Sequence, residues 1–265
     1  MTTRMKILGG LGILVIAAGA AGWYVFLRDN APEKVSLASA LNSIAQSTSV
    51  ASTGTTSSAS ASAAVAQPAT AATTAALAAR TVITAALPGI DGTWNVDNTV
   101  DSFVGYRVKE ELARIGAATA VGRTPVVSGT AVIAGGQLMS VTVTADLTRL
   151  KSDAPQRDNQ LRTQAIETNT FPTATFTLTS AMAVPAGLAG GQQISTTISG
   201  TLELHGVTNT VQVPVQATIA NGFLGIVGSL EIVFADYSVK TPSSAAVLTV
   251  EDHGIMELQL FLKKS

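Results

Sequence analysis

"KSDAPQRDNQLRTQAIETNTFPTATFTL", residues 151–178, joins two unlike patterns end to end. Its first seventeen residues hold six charges, Lys151, Asp153, Arg157, Asp158, Arg162 and Glu167, in a chain that is only 12% charged overall. Ser152 or Asp153 can cap a helix N-terminus here, and Pro155 suits the first turn. Asp153 with Arg157 and Asp158 with Arg162 are i,i+4 pairs with the acid placed N-terminal, the favoured orientation. The spacing predicts a short helix over 154–165 that carries Ala154, Leu161 and Ala165 on one face. From Ala174 onward the period is two: Ala174, Phe176 and Leu178 alternate with Thr175, Thr177 and Thr179, as in a strand with one wet face. A helix with an apolar stripe set directly before such a strand predicts a lid or end plug laid on a sheet.

The same period recurs on both sides of this stretch. Val141, Val143, Ala145 and Leu147 alternate with Thr142, Thr144 and Asp146. Val211, Val213, Val215, Ala217 and Ile219 oppose Gln212, Pro214, Gln216 and Thr218. Leu230, Ile232 and Phe234 oppose Glu231, and Met256, Leu258, Leu260 and Leu262 oppose Glu257, Gln259 and Lys263. These runs predict an antiparallel, mainly β domain over residues 90–265, with Pro214 at an edge or bulge because it cannot donate to a ladder. About eight strands in such a length favour closure into a barrel, which removes exposed edges and leaves room for one elongated ligand. Small inward residues (Ala145, Ala174, Ala217), with Gly222, Gly225 and Gly228 nearby, favour free volume inside it.

The part before the barrel is of another kind. Residues 7–27, "ILGGLGILVIAAGAAGWYVFL", carry no charge over 21 positions, enough to cross about 30 Å of hydrocarbon as a helix. Arg4 and Lys6 precede the run, whereas Arg28, Asp29, Glu33 and Lys34 nearly cancel after it, so residues 1–28 read as a cytoplasmic N-terminus and a membrane anchor, with the remainder exported. A cleaved signal peptide is the rival reading, since "AGA" at 18–20 resembles a cleavage site. Residues 29–89 read as a flexible linker: Val35 to Ala79 has no charge and is dominated by Ala, Ser and Thr, with the alanine-rich stretch 70–87 partly helical. As a random coil of about 55 residues it would span roughly 40 Å.

Composition removes several chemistries. With no cysteine there is no disulfide, thiolate metal site, cysteine nucleophile or thioether-linked lipid. A net charge of −1 offers no field for nucleic acid. No Gly-x-Ser-x-Gly elbow, phosphate loop or dinucleotide fingerprint occurs, and no enzyme is expected. Glu110 and Glu111, as neighbours on a strand, point to opposite faces and cannot flank one bond together. His205, before Gly206, reads as a turn residue satisfying local backbone, and the run Glu251, Asp252, His253 reads as a solvated loop.

Three motifs in order carry a resemblance. "QRDNQLR", then "FPTATFTLTS", then "GTLELHGVTNTVQVPV" resemble the succession found in the YceI-like family, with weaker similarity over 92–112 and 252–262. Asp97 and Ser102 match the family's opening Asp-x-x-His-Ser, whose histidine is absent here and whose spacing is longer. The resemblance implies a lipocalin-like, extended antiparallel β-barrel with a short helix, here preceded by the transmembrane segment and the linker. It also implies a pore that holds a polyisoprenoid or an isoprenoid-quinone chain, menaquinone-like for instance, with no covalent cofactor. Channel or lid candidates are Val143, Leu161, Phe176, Leu178, Leu204 and Phe234. Arg157, Asp158 and Arg162 are placed to hold a head group, or to pin the helix to the barrel rim. The expected partners are an isoprenoid lipid and the membrane through residues 7–27. The alternative is a non-catalytic accessory subunit with a self-filled barrel, docked on a membrane or cell-envelope protein complex.

Overall fold

Each alternating run becomes a strand, and the strands follow one another around a barrel. The computed structural model describes residues 31–51, 89–113, 116–242 and 247–265. Its strands are β1 Gly92–Val96, β2 Phe103–Leu112, β3 Gly116–Thr124, β4 Val127–Ala134, β5 Gln137–Asp146, β6 Lys151–Ser152, β7 Thr173–Leu178, β8 Met182–Ala183, β9 Ile194–Leu204, β10 Val207–Ala220, β11 Phe223–Val233, β12 Val247–Val250 and β13 His253–Lys264. The order β1-β4-β5-β7-β9-β10-β11-β13 returns to β1, so eight antiparallel positions close a barrel. Its tight turns use the chemistry that right-handed twist requires. Gly135–Gly136, His205–Gly206 and Asn221–Gly222 all have positive φ at both central residues.

Two of the eight positions are strands broken in the middle. Pairing of Trp94–Val96 with Leu262–Lys264 closes the barrel at one end, whereas toward the other end β13 pairs Ile255–Gln259 with β2. β1 and β2 are therefore two halves of one strand, and β3 and β4, joined at Pro125 and Val126, are halves of the next. Asp97 stabilises the first break by accepting hydrogen bonds from the N–H and hydroxyl of Thr99. Ser102 donates to the Asp97 carbonyl at 2.9 Å and accepts from the Phe261 N–H at 3.1 Å, pinning the break to β13. The end closed by β1 is filled by Trp94, whose indole N–H donates to the Ile90 carbonyl at 2.8 Å, and by Leu188 from a 3-10 turn over Ala186–Gly190.

The opposite end is wider. β10 pairs with β9 over Val207–Ala217, but with β11 only over Val215–Ala220. Pro214 stands where the ladder to β11 stops, the edge position that its missing N–H predicts. Beyond it Leu202, Ile232 and Tyr237 form a separate buried cluster in the gap. The charged stretch crosses this wide end as helix α2, Pro155–Gln160, continued by a π-turn over Leu161–Ala165. Its N-cap is Ala154 and makes no side-chain bond, which corrects the expected Ser152 or Asp153 cap. Ser152 belongs to β6, and its N–H and hydroxyl both donate to Asp158 Oδ1, at 2.9 and 2.7 Å.

The largest departure from the sequence reading is in the expected linker. Residues Leu37–Ala51 form helix α1, and Leu37, Ala40 and Ile44 are buried against Val227 and Phe261 on the outside of the barrel. The strip of β13 that faces out, Glu257, Gln259 and Phe261, is accordingly 2%, 5% and 0% exposed. Glu257 is held there by Arg107 at 3.0 Å and Arg123 at 3.7 Å, and Arg123 also lies 4.2 Å over the Phe103 ring. Segment 31–36 closes over this cluster, the Pro32 carbonyl accepting from Arg107 and the Glu33 carbonyl from Arg123. The physical reason is the spacing of Leu37, Ala40, Leu41 and Ile44, one apolar face on a helix, which outweighs the scarcity of large apolar groups in the stretch around it. No helix among the described residues is long and apolar enough to cross a membrane, and the run 7–27 and residues 52–88 lie outside the described residues.

Candidate functional site

The inward faces of the strands leave two cavities that meet along the barrel axis. The one nearer the closed end, about 140 Å³, is bounded by Ala131, Val143, Ala145, Ala174, Phe176, Leu260 and their neighbours, with Thr196 as the one polar side chain among its lining residues. The other, about 650 Å³, occupies the wide end. Val104, Ala174, Leu202 and Met256 line both, so the two cavities lie end to end and share these side chains. The small inward residues Ala145, Ala174 and Ala217 all lie on its narrow part. Glycines make further room for two of the inward aromatic rings. A Cβ on Gly200 would stand 2.3 Å from the Phe176 ring, and one on Gly122 would stand 2.4 Å from the Tyr106 ring.

Polar groups collect only at the wide end. β2 presents Val104, Tyr106, Val108, Glu110 and Leu112 inward by its alternation, and α2 brings Gln156, Arg157 and Gln160 across from the other side. Arg157 pairs with Glu110 and, through its other terminal nitrogen, with Asp153. Glu110 is 7% and Arg157 17% exposed, so this is a largely desolvated ion pair. Burial works against the guanidinium charge, but the hydrogen bond and charge of Glu110, with Asp153 behind, hold its pKa above the ordinary value. The Tyr106 hydroxyl nearby is buried beside the Ser152 hydroxyl without a well-aligned hydrogen bond, and burial raises its pKa, so the phenol stays protonated. The mouth therefore offers the Glu110–Arg157 pair, the Tyr106 hydroxyl, the amides of Gln156 and Gln160, and Lys240 beside an apolar cavity.

The far edge of the lid is fastened separately. His205 Nε2 lies 3.0 Å from Glu167 Oε2, and His205 Nδ1 lies 3.0 Å from the Tyr237 carbonyl oxygen. Phe171 packs edge-on against the imidazole at 4.4 Å. His205 is thus a turn residue, φ +53°, tied not to local backbone as expected but to the distant Tyr237 carbonyl and to the lid, and it lines neither cavity.

Of the residues singled out in the sequence, Val143 and Phe176 line the narrow cavity, and Arg157, Leu161, Leu204 and Phe234 line the wide one. Asp158, Arg162 and Leu178 border neither. Asp158 is turned toward Ser152 instead of Arg162, and Arg162 is exposed. Tyr106, Glu110, Gln156, Gln160 and Lys240 also line the mouth, and the sequence reading misses them. For Tyr106 and Glu110 the signal is present, since both continue the alternation of Val104 and Val108. Lys240 sits in a stretch with no period to read.

Comparison with known proteins follows the same outline. The profile of the YceI-like domain matches residues 94–261. No curated protein matches the sequence. Among solved structures the chain is similar to a polyisoprenoid binding domain from Saccharophagus degradans implicated in plant cell wall breakdown. The two share 21% identity, the match covers 66% of this chain and 99% of that one, and the TM-score is 0.51. It is also similar to BcnA of Burkholderia cenocepacia, with 21% identity, 63% and 98% coverage and a TM-score of 0.48. At such identities the likeness speaks to the fold.

Proposed function

The chain belongs to the YceI-like family, and on that premise we propose that it holds a polyisoprenoid or isoprenoid-quinone chain inside its barrel, with the tail in the narrow apolar cavity and the polar head at the mouth. The observation that carries the reading is the barrel interior itself: an almost wholly apolar cavity set end to end with a larger one that holds the polar groups. A long hydrocarbon gains about 25 cal/mol for each Å² of apolar surface it removes from water, and a tube of this kind gives orientation with few polar contacts. The polyisoprenoid-binding description of the Saccharophagus degradans domain supports the same class of ligand. We further propose that residues 7–27 anchor the chain in the plasma membrane and that the barrel lies on the extracytoplasmic side, from the uncharged run and the positive charges that precede it.

Native mass spectrometry of the full chain released from membranes in mild detergent tests the ligand. A copurified polyprenyl mass is expected, and it should be absent from Phe176→Glu, because an unpaired charge in an apolar tube costs several kcal/mol. A Phe176→Glu protein that is folded and still carries its full complement of lipid overturns the reading. N-terminal sequencing tests the anchor: a mature chain that begins near Ala21 would replace it with a cleaved signal peptide.

A further inference from the structure

We propose that the polar mouth of the barrel is held facing the bilayer by the chain's own N-terminal segment, so that the lipid surface itself is the partner of the rim and the ligand passes between membrane and channel without crossing water. This rests on the tether and ligand readings above and adds to them an orientation. The path of residues 31–44 carries it. The chain meets the barrel at Pro32 and Glu33, whose carbonyls bind Arg107 and Arg123. It then runs outward along β13 until Leu37, Ala40 and Ile44 pack on Val227 and Phe261. Arg107 pairs with Ile255, the third residue of β13 from the mouth, whereas Phe261 lies near the closed end. The segment therefore joins the barrel in its mouth half and proceeds away from the mouth.

Lengths turn this path into an orientation. From Leu27, the last residue of the uncharged run, to Pro32 is five residues, which span at most about 17 Å. From Arg107 to Leu112 on the rim is five residues of β2, again about 17 Å. Residues 52–88 do not enter this distance, because they follow α1 and lead back to β1 at the closed end. With the anchor on so short a lead, the mouth half is the part of the barrel held near the membrane. The rim lies within the lead's reach, and the mouth is taken to face the bilayer with the closed end away. The rim has a surface for such contact. Leu248 on β12, 60% exposed, and Val233 at the end of β11 are large apolar side chains left outward there, while Val126 and Met139 are comparably exposed elsewhere on the barrel. Charges around the rim have both signs, Lys109 and Lys240 against Glu111 and Glu251, so the lead holds the mouth in place and not a basic field.

The absence of cysteine makes the test direct. Leu248→Cys and Met139→Cys, two exposed positions toward opposite ends, are labelled with bimane in the full chain. Each is reconstituted into phosphatidylethanolamine–phosphatidylglycerol vesicles containing a lipid with a nitroxide head group. Quenching at position 248 should exceed that at position 139 severalfold, and a Gly/Ser insertion between Asn30 and Ala31 that lengthens the lead should abolish the difference. Equal quenching at the two positions, stronger quenching at 139, or a difference that the insertion leaves intact would overturn the proposal. Native mass spectrometry on the same preparations separates it from the ligand reading. Asymmetric quenching without bound lipid keeps the orientation and removes the ligand, and symmetric quenching with bound lipid does the reverse.

Discussion

Glu110 shows how much one inward position on a strand can decide. Its carboxylate neutralises Arg157 inside the mouth, and removing it leaves the half-buried guanidinium with only the exposed Asp153 as an ionic partner. Glu110→Leu should therefore lower stability by about 3 kcal/mol, read as a fall in melting temperature. A double Glu110→Leu, Arg157→Leu protein should recover most of it. Gly122→Ala tests the same neighbourhood sterically. The new methyl would fall 2.4 Å from the Tyr106 ring, forcing the ring from its place at a cost of about 1–3 kcal/mol, with lipid occupancy falling alongside. Asp97 works at the other break in the wall. The side chain and N–H of Thr99 hold its carboxyl below the ordinary range, so its contribution to stability is fully present above the ordinary carboxylate pKa and fades as pH falls through the depressed one. Asp97→Asn should lower the melting temperature at neutral pH and converge on the parent as pH falls, flattening the acid limb of the stability–pH curve. At this scale the sequence is legible where a period runs well inside a strand, and less so at its end, where Leu178 shares the alternation of Phe176 but borders neither cavity. Phe176 and Val143 can be placed inside because their neighbours alternate, whereas Asp158 and Arg162 rest on helical spacing alone, which does not show that Ser152 claims the carboxylate.

The lid and the outer helix are legible to different degrees. The charged stretch predicts a helix across an end of the barrel, and the structure lays it there, clasped at Arg157 by Glu110 and at Glu167 by His205. Undoing the second clasp with His205→Phe should leave the strands intact and speed the exchange of bound lipid with vesicles, which transfer to labelled acceptor vesicles would measure. Helix α1 reads as linker because Ala, Ser and Thr dominate its surroundings, and composition averages away a face only four residues wide. Leu37, Ala40, Leu41 and Ile44 nevertheless have the spacing of a docked helix, and Phe261 and Val227 on the barrel have no partner visible in the sequence until that helix is placed. Ile44 is 1% exposed, so Ile44→Ala should cost about 2–4 kcal/mol. Hydrogen exchange should show protection over 37–44 in the parent that is lost in the variant.

For the molecule as a whole, period two and small inward residues are enough to read a closed antiparallel barrel. What they do not show is its taper. The taper comes from two interrupted strands and from Pro214, where β10 parts from β11, and each depends on pairings between residues far apart in the chain. A ligand that binds only the folded barrel stabilises it by mass action, about 2.7 kcal/mol at a hundred times its dissociation constant. Stripping the lipid with a hydrophobic resin should accordingly lower the melting temperature, and adding back a polyprenyl lipid should restore it.

The closed end has a consequence of its own. Because Trp94 and Leu188 stop the tube, a tail that enters head-last can advance only until its tip meets them, and only one length then leaves its head level with Tyr106 and Arg157. On the ligand reading proposed above, the barrel would act as a gauge, sorting lipids by the number of units in the tail as well as by the chemistry of the head. Leu188→Ala deepens the gauge, and the distribution of tails recovered with the protein should shift toward longer chains.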